Sequence, residues 1–559
     1  MRSSAASDVY KRQVVICLII TNIYIGTESI YAEYIEYKLG CIPETQEELD
    51  EFYGSAKNDV GTKYILPSSV DLSTSPCFPP IGDQKSLGSC ASYATTYYQY
   101  TYEVNKLNHV NSESDRVIYS PKWTYNFANN GYNSGTTLTN NYKVLMSLGC
   151  LKNNDFPYTG NSSDYIEWAS GLEDEKIEAL QTRITKINKY EIPVNSNISS
   201  PSSTALQGLK NVLNEGKIVV TSTRCYFNSK IVNNNCIAYR CTQNLLGNHA
   251  LTIVGYDDNI CCDVNENGII EECEKGAFKV ANSWGTQFNQ YGISSNDGYF
   301  WVLYDSLNEF STNTINNWEE KLNGTRYAIF STSGNNNTFY TIEVDHINVN
   351  LIGEVKINTN DRESFKLFYG KYYGSDPVNW NSISLRIVDP FDGTGAPNIQ
   401  YTGCILFDYD SVVKYLPSIE MGYKWLVSII DTLNDTSDRF RLMDNKGNKI
   451  TSFKSLSNMS NRFAAYHQLG LNKGDLNYSG SVTEEDADML MDYVSMISPL
   501  SNLQLYLGDY NNDGYVNIAD VIGIRSSLTS MENSYQINKL DERIQQYFLN
   551  QEGVDYYEN

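Results

Sequence analysis

The chain has 559 residues, 41% of them hydrophobic, and a formal net charge of −24. That length calls for several domains, because a single core rarely grows past ~250–300 residues. The acidic balance, with a pI near 4.6, excludes a nucleic-acid binder, since phosphates require a basic surface.

Residues 1–13 carry Arg2, Lys11 and Arg12 and give way to an apolar run over 14–25. The run is too short to cross a bilayer, which takes ~20 residues. It suits the hydrophobic region of a secretory signal, with Ser29-Ile30-Tyr31-Ala32 as the cleavage site. Residues 1–32 therefore read as a signal peptide of a secreted, extracellular protein, residues 1–13 being either a native basic region or a joining scar. No later stretch reads as a membrane span. Residues 33–65 are polar with one helical stretch, 45–52, and read as a short prosegment or an N-terminal extension. Twelve cysteines fit an oxidising compartment without demanding a disulfide scaffold, and none has the CxxC…CxxC spacing of a zinc site.

Leu66-Pro67 and a Pro-rich turn at 77–80 lead into Gln84-Lys85-Ser86-Leu87-Gly88-Ser89-Cys90-Ala91-Ser92-Tyr93. This places a thiol at the start of an apolar helix expected over 91–102. A helix N-terminus favours thiolate over thiol, and its unpartnered N–H groups can bind a developing oxyanion. Taken alone, such a cysteine is more often a buried core residue. Helical periodicity continues to about residue 150, including 140–148. Short strands follow over 217–222, 249–256, 277–281 and 298–303. A helical half followed by a strand half predicts an α+β fold with a cleft between the halves.

The chain has four histidines. His249 opens the apolar strand after Gly247-Asn248, and Asn282 precedes Ser283-Trp284-Gly285. A cysteine, a strand-opening histidine and an asparagine supply a nucleophile, a base and an orienter. This set resembles the papain-like cysteine peptidases, over about residues 66–307. The resemblance implies that Gln84 is the oxyanion-hole amide, Cys90 the nucleophile, His249 the acid/base and Asn282 its orienter. Trp284 would shield the His249–Asn282 bond, and Gly131–Gly135 would lie near the wall of the substrate cleft, which makes Gly135 and Trp284 the cleft residues. Three departures stand out. Leu87 replaces a disulfide cysteine, Ala91 replaces a bulky aromatic residue, and Asn282 lies 192 positions after Cys90, so insertions are required. The peptidase is placed over 66–322 and needs no cofactor for catalysis. Two other readings stay open: a catalytically idle papain-fold binding protein, and acyl transfer to an amine.

One insertion, Asp263-Val264-Asn265-Glu266-Asn267-Gly268 with Glu274 five residues on, fits the D-x-[DN]-x-[DN]-G-x₅-E calcium loop. Asp263, Asn265, Asn267 and Glu274 are its expected oxygen ligands, and Cys262 and Cys273 are placed to staple it. Residues 325–455 show short alternating segments (346–356, 364–369, 382–388, 405–407, 425–430) between turns, which predicts an all-β sandwich. A linker is expected over 456–472.

Beyond it the chain repeats. Asp475-Leu476-Asn477-Tyr478-Ser479-Gly480, closing at Asp486, recurs 34 positions later as Asp509-Tyr510-Asn511-Asn512-Asp513-Gly514, closing at Asp520. Asp475, Asn477, Ser479 and Asp486, then Asp509, Asn511, Asp513, Asn517 and Asp520, are the expected ligands of two EF-hand-like loops. Each loop feeds a helical stretch, 484–496 or 518–531. The pair resembles a cellulosomal, type I-like dockerin over 473–530, which implies calcium-dependent docking onto a cohesin module of a bacterial scaffoldin. The pairs before the closing Asp differ, Glu484-Glu485 against Ile518-Ala519, which speaks against binding in two orientations. Residues 531–559 are an acidic tail with no assigned role.

Overall fold

The N-terminal piece, the peptidase-like body, the β-rich unit and the C-terminal repeat each form ordered structure in the computed structural model. It describes residues 37–54, 66–161, 163–167, 169, 171–241, 249–309, 327–330, 335–349, 351–361, 366–372, 384–392, 397–409, 424–430, 438–459, 462–468, 472–500 and 502–529. The signal-peptide reading of 1–32 and the tail over 531–559 lie outside these residues.

The helical layer begins with α1 (Gln46–Tyr53), whose Thr45 and Glu48 form a reciprocal capping box that satisfies two otherwise free N–H groups. The central helix starts as α2 (Cys90–Ser92), winds as a π-helix over Tyr93–Tyr100 and ends as α3 (Thr101–Leu107). It is buried along nearly its whole length. α4 (Pro121–Ala128) carries Pro at its first position, α5 (Leu138–Ser147) is capped by Thr137, and α6 (Glu173–Leu180) and α7 (Thr204–Asn214) follow.

The second layer is one nine-stranded sheet. Its strands are β1 (Ser69–Asp71), β2 (Thr182–Pro193), β3 (Val219–Thr223), β4 (Phe227–Val232), β5 (Asn235–Cys241), β6 (His249–Cys261), β7 (Lys275–Ala281), β10 (Tyr299–Leu303) and β11 (Asn336–His346), the hairpin β8 (Phe288–Gln290) and β9 (Ile293–Ser295) standing apart. The spatial order is β2-β11-β3-β6-β7-β10-β5-β4, with β1 on β6. β6 has its first eight residues buried, the signature of a central strand covered on both faces.

Two sequence-derived boundaries move. β11 pairs with β2 along eleven residues and also with β3, so the peptidase-like body runs past 322 and takes in strand residues assigned above to the sandwich. The stretch 346–356 is accordingly not one strand: β11 ends at His346, and β12 (Ile352–Asp361) begins after a break. The β-rich unit adds β13 (Lys366–Tyr372), β14 (Ser384–Asp392), β15 (Pro397–Asp408), β16 (Lys424–Ile430), β17 (Arg439–Met443), β18 (Lys454–Ser455), β19 (Ser457–Met459) and β20 (Arg462–Gln468). These form a four-stranded sheet, β15-β12-β17-β18, and a five-stranded one, β14-β13-β16-β20-β19. Val355, Ile405 and Phe440 of one sheet share a core with Leu367, Val427 and Ala465 of the other, as in a sandwich. β19 and β20 fall inside the stretch expected to be a linker, which therefore shrinks to the residues after Gln468.

The sandwich is fastened to the helical layer. Arg183 of β2 pairs with Asp408 of β15 at 2.6 Å with both side chains buried, and the Lys176 ammonium donates to the Cys404 carbonyl at 3.0 Å. At the C-terminal end α8 (Glu484–Val494) packs on α10 (Ile518–Thr529) through Ala487, Leu490, Val521 and Ile524. The short α9 (Asn502–Gly508) between them is absent from the sequence reading.

Candidate active site

Register brings His249 and Asn282 into one corner. β6 and β7 are antiparallel with Thr252 opposite Ala281, so Asn282, just past the end of β7, comes near the start of β6. The His249 Nε2 stands 2.8 Å from Asn282 Oδ1. Trp284, fully buried, stacks on the imidazole with centroids 4.6 Å apart. Trp284 is itself held by Tyr37, Phe288 and Tyr291 at 5.4–5.5 Å, contacts worth ~0.5–1.5 kcal/mol each beyond area burial.

The loop before the helix is tied to the same corner. Asp83 and Trp284 form an isolated antiparallel bridge. The Gln84 N–H donates to the Ser283 carbonyl at 2.8 Å, and Ser283 Oγ donates to Gln84 Oε1 at 2.6 Å. Tyr98, one helical stretch beyond Cys90, donates to the Asn282 carbonyl and accepts from the Gly82 N–H. Gln84 is thus oriented from the Asn282 side, and its amide N–H groups donate to the Leu87 and Lys38 carbonyls, each at 2.8 Å.

Cys90 begins α2 next to the strand carrying His249, and the Ala250 N–H faces its sulfur. The His249 Nδ1 is buried without a hydrogen-bond partner among the described residues. Burial pushes the Cys90 thiol up to about 11 and the imidazole down to about 4, the latter partly offset by the Asn282 bond. Both groups are neutral here because a low-dielectric surrounding penalises either charge.

What covers them is the N-terminal segment, which sequence reasoning had left without a location. The Gln84 amide donates to the Lys38 carbonyl at 2.8 Å. Tyr37 stacks on Trp284 and donates to its carbonyl at 2.7 Å. The Thr136 N–H donates to the Gly40 carbonyl at 2.8 Å, and the Ile42 N–H donates to the Thr136 carbonyl at 3.1 Å, a parallel bridge centred on Cys41. A Cβ on Gly40 would sit 2.0 Å from the Gly88 carbonyl oxygen, and one on Gly135, at φ +107°, would sit 2.2 Å from the Gly40 carbonyl oxygen. Gly135 therefore packs directly against the N-terminal segment, where only glycines allow the two backbones to approach so closely. Asn133, unforeseen from sequence, accepts from the Gly88 N–H at 2.8 Å and offers its carbonyl to the Lys38 ammonium. Leu87 and Ala91 are both fully buried.

The three acidic loops share one hydrogen-bond plan. The first Asp of each (Asp263, Asp475, Asp509) accepts from the N–H groups four and five residues on. Asn265, Asn477 and Asn511 each accept from the N–H two residues on. The closing Glu274, Asp486 and Asp520 are buried and accept from N–H groups at the loop start. Asn267 Oδ1 and Asp513 Oδ1 accept from Ile269 and Tyr515, and Ser479 Oγ bonds the Ser481 carbonyl. The donor chemistry is all oxygen, which suits a hard cation. Among the described residues no three His, Cys, Asp or Glu side chains converge as a metal cluster, so the Asn and Ser oxygens would have to complete each set. Asn517 Oδ1 accepts from the Ala519 N–H at 2.8 Å, at the start of α10. One expectation fails. Cys262 and Cys273 do not staple the first loop, both being free thiols.

A family comparison of the sequence agrees with this geometry. Residues 66–315 match the family model "Papain family cysteine protease". Cysteine proteinase 2 of Entamoeba histolytica is 24% identical over 237 residues, 41% of this chain, and the match spans 64% of that relative's length. Among solved structures, xylellain, a cysteine protease from Xylella fastidiosa, superposes with a TM-score of 0.36 at 21% identity, covering 56% of this chain and 98% of its own. The cysteine protease and lectin-like domains of Cwp84, a surface layer associated protein of Clostridium difficile, give 0.36 at 18% identity over 76% and 88%. Over residues 66–315, then, this chain is similar to the papain-family cysteine proteases.

Proposed function

We propose that this chain is a secreted peptidase that hydrolyses peptide bonds through Cys90, His249, Asn282 and Gln84. The observation that carries the reading is the His249–Asn282 bond of 2.8 Å under the Trp284 ring, set beside a thiol that opens a helix. Once the cleft is open to solvent, a proton passes from Cys90 to His249, and the thiolate attacks the substrate carbonyl. The Gln84 amide and the Cys90 N–H hold the oxyanion. The imidazolium then protonates the departing amine, and water, deprotonated by His249, hydrolyses the thioester. Asn282 fixes the imidazole plane throughout. Asn282→Ala is expected to lower kcat by about 10²-fold with KM little changed, the cost of a misaligned base. Steady-state kinetics on a fluorogenic peptide checks this, and equal turnover would remove Asn282 from the machinery. Product analysis with added amines separates hydrolysis from acyl transfer.

Residues 37–54 act in this reading as an inhibitory prosegment. His249 must face the leaving nitrogen, so the C-terminal part of a substrate runs past His249 and Trp284. The segment runs the other way, since its earliest described residue, Tyr37, lies on Trp284 and Gly40–Ile42 lie on Thr136. The Lys38 carbonyl accepts from the Gln84 amide, and with the chain direction reversed the bond is held but not cleaved.

The C-terminal repeat is read as a calcium-loaded dockerin that binds a cohesin module. Asp475, Asn477, Ser479 and Asp486, with Asp509, Asn511, Asp513 and Asp520, would hold the two cations, and Asp263, Asn265, Asn267 and Glu274 a third. Bound calcium supplies the positive charge that these buried carboxylates otherwise lack. Chelation is expected to lower the unfolding temperature of the C-terminal unit and to abolish cohesin capture, both restored by added calcium. Calorimetry and pull-down of the full chain measure this, and unchanged behaviour in chelator would sink the calcium role.

A further inference from the structure

The peptidase chemistry leaves one group beside the nucleophile unused. Cys41 is the residue whose neighbours, Gly40 and Ile42, make the two hydrogen bonds to Thr136. Its side chain is 4% exposed and packs in the same buried cluster as Cys90 and Ala91. The preceding Gly40 directs its N–H at the Cys90 sulfur, and the Gly40–Gly88 contact admits no side chain. The backbone therefore delivers a second thiol to the nucleophile at a fixed register. Cys41 lies near enough to Cys90 that a thiolate on one would raise the pKa of the other, and Cys225, fully buried, lies within the same reach of both. Cys41 and Cys90 are free thiols. Nothing in hydrolysis or in seating the segment calls for sulfur at position 41.

We infer that Cys41 is a resolving thiol for Cys90, so that oxidation joins the two in a disulfide and ties the N-terminal segment covalently across the cleft. This rests on the reading of Cys90 as nucleophile beneath an inhibitory segment. The oxidant is a low-molecular-weight disulfide, RSSR. With the segment lifted, the Cys90 thiolate attacks one sulfur of RSSR, the S–S bond breaks, and RS⁻ departs. When the segment reseats, the Cys41 sulfur attacks the Cys90 sulfur of the mixed disulfide and expels the second RS⁻. Two protein thiols are oxidised, one small disulfide is reduced to two thiols, and the two protein protons pass to the departing thiolates. Excess small thiol reverses both steps. Latency then depends on redox conditions as well as on binding: the segment leaves a reduced chain by dissociation but leaves an oxidised one only after reduction.

The test treats the full chain with oxidised glutathione, digests it without reductant and examines the peptides by mass spectrometry. The expected product is a Cys41–Cys90 linked peptide pair, two hydrogens lighter than the separate peptides. Peptidase activity should fall to background and return with dithiothreitol. Cys41→Ser should give only glutathione on Cys90 and no link, whereas Cys225→Ser should form the link as the parent does. Near-UV circular dichroism verifies that both variants are folded. A parent chain that yields only glutathionylated Cys90, or a Cys41–Cys225 link in its place, overturns the inference. Because the link is read by mass, the two readings can fail separately. A linked chain that cleaves nothing when reduced would sink the peptidase assignment and leave the link standing, and an active chain that never links would sink the link alone.

Discussion

Cys90→Ala abolishes peptide cleavage and leaves the fold intact. The side chain is fully buried at the first turn of α2, and alanine has the highest helix propensity of any residue, so the substitution removes a sulfur without disturbing backbone or caps. The chemistry has no replacement for it. Removal of the nucleophile in a hydrolase of this logic costs on the order of 10⁶ in kcat, because the remaining groups then act only as a binding and oxyanion site. The His249–Asn282 bond and the Trp284 stack do not involve the sulfur and should persist, so unfolding temperature and near-UV spectra serve as the control. Turnover of a peptide library by the variant within about tenfold of the parent would correspond to only ~1.4 kcal/mol of transition-state stabilisation, and would mean that Cys90 is one of the chain's structural cysteines.

The candidate corner was legible because the chemistry proposed for it fixes residue types at strand and helix starts. Gln84, Cys90, His249, Asn282 and Trp284 can each be named from short motifs, and β6 and β7 bring the distant members together by register. What escaped the sequence depends on pairing. β2 and β11 lie far apart in the chain yet pair along eleven residues, and alternation marks a strand without naming its partner. That is why β11 was assigned to the wrong body and β19–β20 to a linker. The seat of the N-terminal segment was equally hidden. Its hold on the cleft comes from main-chain hydrogen bonds and glycine contacts, which leave no hydrophobic period to read. Asn517 fits both a ligand position and a helix start, and its bond to Ala519 is compatible with both.

Gly40→Ala uncovers the active site without touching a catalytic residue. The new methyl would lie 2.0 Å from the Gly88 carbonyl oxygen, a backbone atom that cannot swing aside, so Gly40–Ile42 lose their seat on Thr136. Under the segment, burial holds the Cys90 thiol near 11, and very little thiolate exists at neutral pH. Uncovered, a thiol at a helix start beside an imidazole falls into the range ~3.5–7.5, so alkylation of Cys90 at pH 7 should accelerate by about 10³-fold or more. Timed iodoacetamide labelling of parent and variant measures it, and equal rates would show that the segment does not mask the thiol. The latch should also carry a pH dependence of definite sign. Opening passes a proton from Cys90 to His249 within the pair and exchanges none with solvent through neutrality. Glu44 of the segment behaves differently: burial raises its carboxyl from 4.5 to about 7, opposed by hydrogen bonds from Thr139 and by the Lys143 charge and assisted by Glu48. A raised value in the closed state means that its contribution to closure is complete below 4.5 and is lost as pH rises through about 7. The segment should therefore be held more tightly in mild acid than in mild alkali. Hydrogen-exchange protection of the Ile42 N–H, corrected for intrinsic rate, should fall across that window in the parent and stay flat in Glu44→Gln, whose neutral amide cannot titrate. A parent profile as flat as the variant's would remove Glu44 from the latch.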